Sequence, residues 1–456
     1  MRVGVIGGGL AGLACGVALT DRGHEVTVLE KRPWAGGKTY SSIDPETGED
    51  VDNGQHVFMA CTTAYVDFLR RLGTLHLTRR QKRLRVPVID ARGRRSDLWA
   101  APAPAPLHLL PSFAAYRHLS PADKAHIARA VVAIHREDAD ADALDRMTFA
   151  EWLRRRRQLE TAVHGFWDLI IVPTLNCRAE QASAASALFV FREAFLRSAT
   201  SAAIGVPVAG LSRLHVEPAI RLIESGGGAL RARCGVERLE LDDGSVSGVT
   251  LTDGTRATFD AYVSAVPPAQ LLSMLPTALH GAPPFDVLAR FVWSPIVNVH
   301  LWFDGPVADF DFAAFAGTDL QWAFNRTRIT GERSLLEHLV VSLSAAERYV
   351  GLEKRELLDM LVPQLGRVLP AARARRLVRS LAIKEPDATF VPAPGLRRPG
   401  PQTPIANLML AGAYTDTGWP ATMESAVRSG LAAARAVDAM AVRSRAREEP
   451  ASVLVA

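Results

Sequence analysis

Hydrophobic and polar positions follow a strand, helix, strand pattern over residues 1–30, and this pattern organises the interpretation of the whole chain. Val3 to Ile6 predict a short buried strand, Leu10 to Arg22 a helix that ends at Gly23, and Glu25 to Leu29 a second strand. Between the first strand and the helix, the glycines have the GxGxxG spacing. A strand before this spacing and a helix after it predict a dinucleotide-binding unit rather than a glycine-rich surface turn.

Each glycine of the GxGxxG turn has its own expected role. Gly7 permits the tight turn, Gly9 lets the backbone approach a pyrophosphate, and Gly12 allows the helix and strand to pack closely. The helix start at Leu10 and Ala11 offers free N–H groups and a positive dipole end to phosphates. We therefore expect these five residues to contact or support the cofactor.

An acid and a second glycine motif follow the second strand. Glu30 stands about 20 residues after the glycines, where it can accept hydrogen bonds from an adenosine ribose. The next segment begins at Lys31 and carries Gly36 and Gly37 before Lys38. A pair of glycines followed by a cation can wrap the other side of a pyrophosphate, so these residues are predicted cofactor contacts as well.

Asp52 to Phe58 carry a DNG turn that brings His56 close to the end of a strand. Gly54 and Gln55 in this turn, together with His56, are predicted to contact the cofactor. His56 is also a candidate catalytic residue, although a satisfied structural histidine is the alternative.

The middle of the chain predicts helices and one irregular segment. Ser120 and Thr148 are expected helix caps. The apolar stretch from Phe166 to Cys177, continued to Leu196, is predicted to be mostly helical and either lines a large apolar cavity or forms plain core. In Leu98 to Phe113, four prolines are predicted to exclude a helix or central strand, which leaves a core-packed loop or an exposed apolar lip.

Strand patterns return after a glycine triplet at 226–228 and contain Val236, a further predicted cofactor contact. Near the C-terminus, a strand, a turn and a helix follow one another. Gly412, Ala413, Thr422 and Met423 are expected to point backbone N–H groups at a flavin ring. The tail from 442 to 456 is expected to be disordered.

Composition and charge narrow the function classes. The chain has 456 residues, an ordinary globular composition and a formal net charge of +5. Its basic residues cluster at Arg79 to Arg95 and at Arg154 to Arg157, which can bind diphosphates or anionic lipid, or form a solvated face. No nucleic-acid module accompanies them, so we expect no nucleic-acid partner.

Cysteine usage and hydropathy indicate the compartment. The four cysteines are scattered, without disulfide or zinc spacing, so no metal site is expected. The first strand begins at residue 2 or 3, which leaves no room for a signal peptide. No apolar run reaches the length of a spanning helix. We expect a cytoplasmic protein, with peripheral contact at the inner face of the cytoplasmic membrane as an option.

These motifs together resemble the FAD-dependent amine oxidase and phytoene desaturase superfamily over the whole chain. More narrowly, DNGQHVF at 52–58, the block at 166–176, SPIVNVHLWFD at 294–304 and GWPATMESAVRSG at 418–430 resemble the hydroxysqualene dehydroxylases. The resemblance implies an α/β fold with a Rossmann-like FAD-binding domain of the glutathione-reductase type, interleaved with an α+β substrate-binding domain. We expect residues 1–75, 205–290 and 385–441 in the first domain and residues 76–204 and 291–384 in the second.

The resemblance also implies the chemistry. The expected cofactor is non-covalent FAD, and the expected reaction is reduction of hydroxysqualene to squalene. His56, Asp168 and Tyr414 are candidates for the acid that helps the hydroxyl leave. Two positions depart from the superfamily pattern, because Lys38 replaces the usual arginine and Ala413 the usual acid.

The expected partners follow from that reaction: a C30 isoprenoid substrate, an external reductant or reductase, and the prenyl synthases that precede it. Three alternatives remain open from the sequence. A carotenoid-type desaturase would share the fold, and an amine oxidase would need a lysine that the strand at 293–303 lacks. A non-catalytic, FAD-retaining membrane or scaffold protein is the third.

Overall fold

The computed structural model describes residues 1–46, 48–137, 141–331 and 334–448. Its strands are β1 (Arg2–Ile6), β2 (Glu25–Leu29), β3 (Ser41–Ile43), β4 (Asp50–Asp52), β5 (Phe58–Met59), β6 (Thr78–Arg80), β7 (Arg85–Asp90), β8 (Arg95–Trp99), β9 (Ile204–Pro207), β10 (Ala229–Arg231), β11 (Val236–Asp242), β12 (Ser245–Leu251), β13 (Arg256–Ala257), β14 (Ala261–Ser264), β15 (Trp293–Phe303), β16 (Phe312–Ala316), β17 (Trp322–Asn325), β18 (Glu337–Leu343), β19 (Leu377–Phe390) and β20 (Leu408–Leu410).

The α-helices are α1 (Leu10–Thr20), α2 (Thr63–Arg71), α3 (Leu110–Ala115), α4 (Pro121–Arg136), α5 (Ala141–Asp145), α6 (Phe149–Arg155), α7 (Glu160–Ala162), α8 (Asp168–Leu175), α9 (Ala184–Phe191), α10 (Glu217–Ser225), α11 (Pro268–Met274), α12 (Arg326–Thr330), α13 (Lys354–Val368), α14 (Pro370–Ala374) and α15 (Met423–Glu448). Single π-helical turns precede α8 and α10 and follow α9.

A five-stranded parallel sheet, in the order β10-β2-β1-β14-β20, holds the N-terminal unit. Its central strand β1 is buried from Val3 to Ile6, as expected for a strand covered on both faces. Helices α1 and α15 cover one face, and side chains from β11, β12 and α11 cover the other. The strand, helix, strand prediction for residues 1–30 is confirmed, and so is the Rossmann-like fold class.

A seven-stranded sheet, in the order β19-β15-β18-β17-β16-β7-β8, forms the second layer. Neighbouring strands are antiparallel except β16 and β7, which run parallel. One face packs against α13 and α14, and the other faces the helical block that includes α4, α6, α8 and α9. The predicted caps are present in that block: Ser120 and Asp123 form a capping box, and Thr148 accepts a hydrogen bond from the Glu151 N–H.

The strands of the two large sheets come from different parts of the chain. All strands of the parallel sheet fall within 1–75, 205–290 and 385–441, and those of the seven-stranded sheet fall within 76–204 and 291–384 except that β19 runs past 385. The domain boundaries themselves stay a prediction.

Two local predictions are wrong. The proline-rich segment was expected to exclude a helix, but α3 begins beside Pro111, because a proline in the first turn lacks only an N–H that has no partner there anyway. The tail was expected to be disordered from 442, but α15 continues to Glu448. Residues 449–456 lie outside the described residues. No helix in the described part of the chain combines the length and hydropathy needed to cross a membrane.

Gly430 on α15 lets this helix cross α1 with backbone in contact. A Cβ at this position would lie 2.4 Å from the Ala11 carbonyl oxygen and 2.8 Å from the Cys15 nitrogen. Both neighbours are backbone atoms of a helix, so they cannot move aside as a flexible side chain would. Close packing of α15 on the dinucleotide helix therefore depends on this glycine.

We predict that Gly430→Ala lowers the free energy of unfolding by about 1–3 kcal/mol, because the added methyl overpacks a backbone contact. The measurement is the melting temperature of the FAD-loaded protein. Gly351→Ala is the matched control, because a Cβ there meets nothing within 4 Å. Equal melting temperatures for the two variants would show that α15 can shift without cost.

Candidate cofactor and substrate site

A cavity of about 600 Å³ extends from the carboxyl ends of β1 and β2 to the face of the seven-stranded sheet. Its first half is lined by the GxGxxG turn and the GGK arm, and its second half by apolar side chains of the sheet and the helical block. The carboxyl ends of parallel strands are where open α/β sheets bind ligands. The geometry therefore joins a cofactor cradle and a substrate chamber in one space.

The floor of the cradle is backbone without side chains. Gly7 has a φ of +105°, and a Cβ there would lie 3.0 Å from the Ala265 carbonyl oxygen. A Cβ on Gly12 would lie 2.0 Å from the Gly7 carbonyl oxygen, and one on Gly37 3.0 Å from the Gly9 Cα. Gly12 itself does not line the cavity. Its role is the close packing predicted for the third glycine, while Gly7, Gly9, Gly36 and Gly37 form the open floor.

The N-terminus of α1 opens into the cavity without a protein cap. Gly9 occupies the N-cap position and supplies no side chain, and Gly9, Leu10 and Ala11 all line the wall. The first N–H groups of a helix have no intrahelical partner. These donors, with the positive end of the helix dipole, fit a diphosphate.

Glu30 ends β2 inside the same wall and is 6% exposed. Its Oε2 accepts the Gly8 N–H at 2.8 Å, and its Oε1 accepts the Arg32 N–H at 2.9 Å. Two backbone donors fix the carboxylate, and each oxygen keeps a further lone pair for a ligand hydroxyl. This arrangement fits a ribose diol, as the sequence predicted.

Lys38 lines the cavity, but its ammonium is held by the second sheet. Nζ donates to the carbonyls of Asp387 and Ala388 and lies 4.4 Å from the centroid of the Trp293 ring. Burial lowers the pKa of Lys38 to about 8, against the opposing charges of Glu385 and Asp387 and with a smaller contribution from Arg32. The GGK arm is therefore tied to β15 and β19, and the charge of its lysine is sensitive to mildly alkaline pH.

The other predicted cofactor contacts lie in the same wall. They are Lys31, Gly54, Gln55, His56, Val236, Gly412, Ala413, Thr422 and Met423. The donor set is an uncapped helix start with lysines nearby and a fixed carboxylate, and it matches the diphosphate and ribose of FAD.

Among the described residues that line the cavity, Cys61 is the cysteine, and burial raises the pKa of its thiol to about 12. A protonated thiol does not favour a thioether, which agrees with the expected non-covalent attachment.

His56 is brought into the wall by the turn after β4. Its Nδ1 lies 2.9 Å from the Gly54 carbonyl oxygen. A carbonyl can only accept, so Nδ1 carries the proton and Nε2 is the acceptor of the ring. Burial lowers the pKa of His56, against smaller opposing effects of the Gly54 carbonyl and Asp52. His56 is thus a neutral imidazole in the wall, suited to accept a proton.

Tyr414 is the second catalytic candidate in the wall. It is 3% exposed, and its hydroxyl has no hydrogen-bond partner among the described residues. Burial raises its pKa, so the hydroxyl stays protonated. An unpartnered buried hydroxyl is costly unless a ligand supplies its partner, which makes this side chain a sign of an occupant in the cavity.

Asp168, the third catalytic candidate, does not line the cavity with His56 and Tyr414. It begins α8, and its Oδ2 lies 2.8 Å from Nδ1 of the largely exposed His164. Its neighbours Leu169 and Ile170 line the cavity, but Asp168 does not. Since α8 turns about 100° per residue, Asp168 lies about 200° around the helix from Ile170, and its carboxylate pairs with His164 instead.

The apolar half of the cavity has two walls. Leu169, Ile170, Pro173 and Phe189 come from the helical block, so the cavity interpretation of that block is confirmed for these residues, while Trp167 and Ile171 are core. The facing wall belongs to the seven-stranded sheet and consists of Val86, Val88, Leu98, Ile296, Phe312, Ala314, Trp322 and Phe324.

Two features of the site were not predicted from the sequence: this sheet wall and the buried acid Glu424. The alternation in β7, β16 and β17 signals strands with two distinct faces, but not which face a cavity would use. Glu424, which is fully buried, accepts the N–H groups of Ala64 at 3.1 Å and Tyr65 at 2.7 Å and so caps α2 from α15. A cap 360 residues away leaves no local signal.

Comparison with known proteins adds to this geometry. A family described as flavin containing amine oxidoreductase matches residues 10–438. The probable zeta-carotene desaturase of Synechococcus elongatus is 27% identical over 480 residues, covering 96% of this chain and 98% of the relative. The 15-cis-phytoene desaturase of the same organism is 25% identical over 461 residues, covering 96% of each.

Solved structures show the same fold. The crystal structure of an oxidoreductase from Methanosarcina mazei matches with a TM-score of 0.74 at 16% identity, covering 94% of this chain and 99% of that chain. The flavin-containing family confirms the expectation that FAD is the cofactor.

The expected dehydroxylase function is wrong. The two relatives that match along nearly their entire length are named for desaturation of carotenoids, which contradicts the expectation of hydroxysqualene reduction and of a role in squalene or hopanoid synthesis. The four segments that resembled the dehydroxylases all contribute residues to the cavity wall: 52–58, 166–176, 294–304 and 418–430.

We predict that Glu30→Gln weakens FAD binding roughly 10- to 100-fold, because a hydrogen bond to a charged group contributes about 1.5–3 kcal/mol. The glutamine side chain would also place its NH₂ group, a donor, against one of the two backbone N–H groups that Glu30 accepts. The measurement is quenching of FAD fluorescence on titration of the apoprotein. Glu25→Gln, an exposed acid at the other end of β2, is the control and should bind as the wild type does.

We also predict that FAD affinity falls as the pH rises through about 8, where Lys38 loses its proton. FAD is anionic, so its binding favours the charged form, and affinity is full below this pH. The expected loss is roughly three- to tenfold, the effect of about 1 kcal/mol from one partly screened charge. Lys38→Arg stays charged and should remove the dependence. The same pH profile in both proteins would assign it to another group.

Proposed function

The chain belongs to the flavin containing amine oxidoreductases, and from this membership we propose that it is an FAD-dependent desaturase of long isoprenoid hydrocarbons. The observation that carries the proposal is the single cavity in which the FAD cradle continues into an apolar chamber. Similarity to zeta-carotene and phytoene desaturases along nearly the whole chain supports the same substrate class.

Different residues would bind the cofactor, enclose the substrate and accept a proton in such a reaction. FAD bound in the cradle supplies a hydride acceptor. The aromatic rings of Phe189, Phe312 and Phe324 enclose the hydrocarbon and exclude water, which protects a carbon that is losing hydride. His56 offers Nε2 to accept the proton that leaves the adjacent carbon, and its lowered pKa keeps it neutral for this role.

The electron balance of the reaction determines whether the external redox partner is an oxidant or a reductant. Each new double bond releases two electrons and two protons from the substrate. An electron acceptor must take them, so the redox partner expected from the sequence becomes an oxidant rather than a reductant. Association with prenyl synthases and a location at the inner face of the cytoplasmic membrane stay predictions.

Amine oxidation fits the chain less well. β15 carries no lysine between Trp293 and Phe303, where the resembled amine oxidases place one above the flavin. The chamber beyond the cradle is mostly apolar, which suits a hydrocarbon better than an ammonium group.

We predict that the oxidised, FAD-loaded protein loses its flavin absorbance when it is mixed anaerobically with phytoene or zeta-carotene in detergent. Mass spectrometry should find a product that is lighter by two hydrogens for each flavin reduced. Flavin that stays oxidised with every isoprenoid, at full FAD content, would overturn the desaturase proposal and favour a non-catalytic FAD-binding protein.

Ala314→Phe tests the chamber separately from the cradle. Ala314 lines the sheet wall, and a phenyl ring there should lower kcat/KM at least roughly fivefold, because overpacking the complex costs about 1–3 kcal/mol. FAD content should not change. The matched control is Ala374→Phe on the exposed face of α14, which should keep wild-type kinetics.

A further inference from the structure

Residues 102–115, which we call the apolar lip, have an inverted polarity. The exposed residues of this segment are all apolar: Pro102, Pro104, Pro106, Leu107, Leu110, Pro111, Ala114 and Ala115. Its two polar side chains, His108 and Ser112, are buried, each at 1% exposure. Folding normally buries apolar groups and exposes polar ones, so this segment presents a face made for an apolar partner.

The lip carries large hydrophobic side chains at its exposed edge. Leu107 and Leu110 are each 53% exposed, and Trp99, three residues before the segment, is 37% exposed. The loop is held in place, because the Ala101 N–H donates to the His108 carbonyl oxygen at 2.7 Å and Lys124 Nζ donates to the Ala114 carbonyl oxygen at 2.6 Å. Exposure of these leucines is thus part of an ordered surface.

The charges at the border of the lip are positive. Lys82, Arg83 and Arg117 are exposed and form no ion pair with any described residue. The nearby Arg85 and Arg95 are already paired with Asp97. Lys82 and Arg83 of the basic cluster predicted from the sequence are therefore available to an external anion. Arg80 and Arg92 are also exposed and unpaired among the described residues, but Arg92 lies in the β7–β8 turn, at the end of the hairpin opposite Trp99.

The lip lies against the apolar half of the cavity. Leu84 lies directly before β7, and Leu98 lies in β8 next to Trp99. Both leucines line the cavity wall. On the other side, the Phe113 ring packs edge-on against Phe166 at 5.6 Å, next to the helix whose residues line the opposite wall. The lip is therefore packed beside the elements whose side chains form the chamber walls.

We propose that the apolar lip docks on a lipid bilayer with anionic headgroups, inserting Leu107 and Leu110 while Lys82, Arg83 and Arg117 contact the headgroups. Apolar side chains with flanking cations match the two layers of a bilayer surface. A second copy of this chain is a poorer occupant, because a two-fold contact would bring the same cations of both copies together. Delivery of a hydrocarbon substrate through the lip rests on the proposed function, whereas docking does not.

The test is sedimentation of the FAD-loaded protein with phosphatidylcholine vesicles, with and without phosphatidylglycerol. We expect co-sedimentation with the anionic vesicles. Leu107→Asp/Leu110→Asp should lower the bound fraction at least roughly fivefold, because two acids replace the inserted side chains. Lys82→Glu/Arg83→Glu should lower it only on anionic vesicles.

Two matched controls make the result specific. Leu335→Asp changes the most exposed leucine of the described chain, at 94%, and should bind vesicles as the wild type does. Arg290→Glu/Arg373→Glu reverses two exposed cations elsewhere and should also keep binding. FAD absorbance and melting temperature check that each variant is folded.

Three outcomes would overturn the proposal. In the first, the wild type stays in the supernatant with both vesicle types, and in the second, the control variants lose binding as much as the lip variants do. In the third, analytical ultracentrifugation finds a dimer that the leucine variant abolishes and vesicles leave unchanged, which would assign the lip to self-association. Vesicle binding needs no turnover, so failure of the desaturase assay would leave this result intact.

Discussion

Backbone-to-backbone contact around the start of α1 is the constraint on which the site depends. The Gly7 carbonyl leaves no room for a Cβ at Gly12, and the Ala11 carbonyl leaves none at Gly430. At these two points helix α1 is therefore held in direct contact with the turn after β1 and with α15. This close packing fixes where the free N–H groups of the helix point, and they point into the cavity because Gly9 provides no cap. A larger residue at Gly12 or Gly430 would push α1 and move the diphosphate donors away from Glu30.

The second sheet is tied to this cradle by polar side chains that cross between layers. Lys38 reaches from the GGK arm to the carbonyls at the end of β19 and lies over Trp293 of β15. Asn176, in a left-handed conformation after α8, bonds the Ser294 carbonyl and the Thr389 hydroxyl and accepts the Ala345 N–H. Few flexible elements remain between the cradle and the chamber walls. Distances across the cavity are consequently set by the fold, which a reaction between a bound cofactor and a substrate carbon requires.

The sequence was informative where the determinants are local. The unit from β1 to Glu30 and the caps at Ser120 and Thr148 were predicted correctly, because neighbouring residues in the chain decide them. The sheet wall was missed, because β7 and β16 meet only through strand pairing across more than 200 residues. Asp168 was a catalytic candidate because it interrupts an apolar run. Each residue of a helix is rotated about 100° from the one before, so Leu169 and Ile170 face the cavity while Asp168 does not. The reaction was misjudged for a related reason, since motifs that build a cradle are shared by proteins with different substrates.

The proposed docking of the lip on a bilayer changes how selectivity must arise in an apolar chamber. A hydrocarbon that leaves a bilayer for an apolar cavity exchanges one apolar surrounding for another, so the usual 25 cal/mol per Å² of burial from water contributes little. Dispersion contacts and shape then have to distinguish one isoprenoid from another. The rings of Phe189, Phe312 and Phe324 and the small Ala314 define that shape, because aromatic side chains have few rotamers with which to adapt. The same reasoning explains why wall residues, more than the cradle, should differ between proteins of this fold that act on different hydrocarbons.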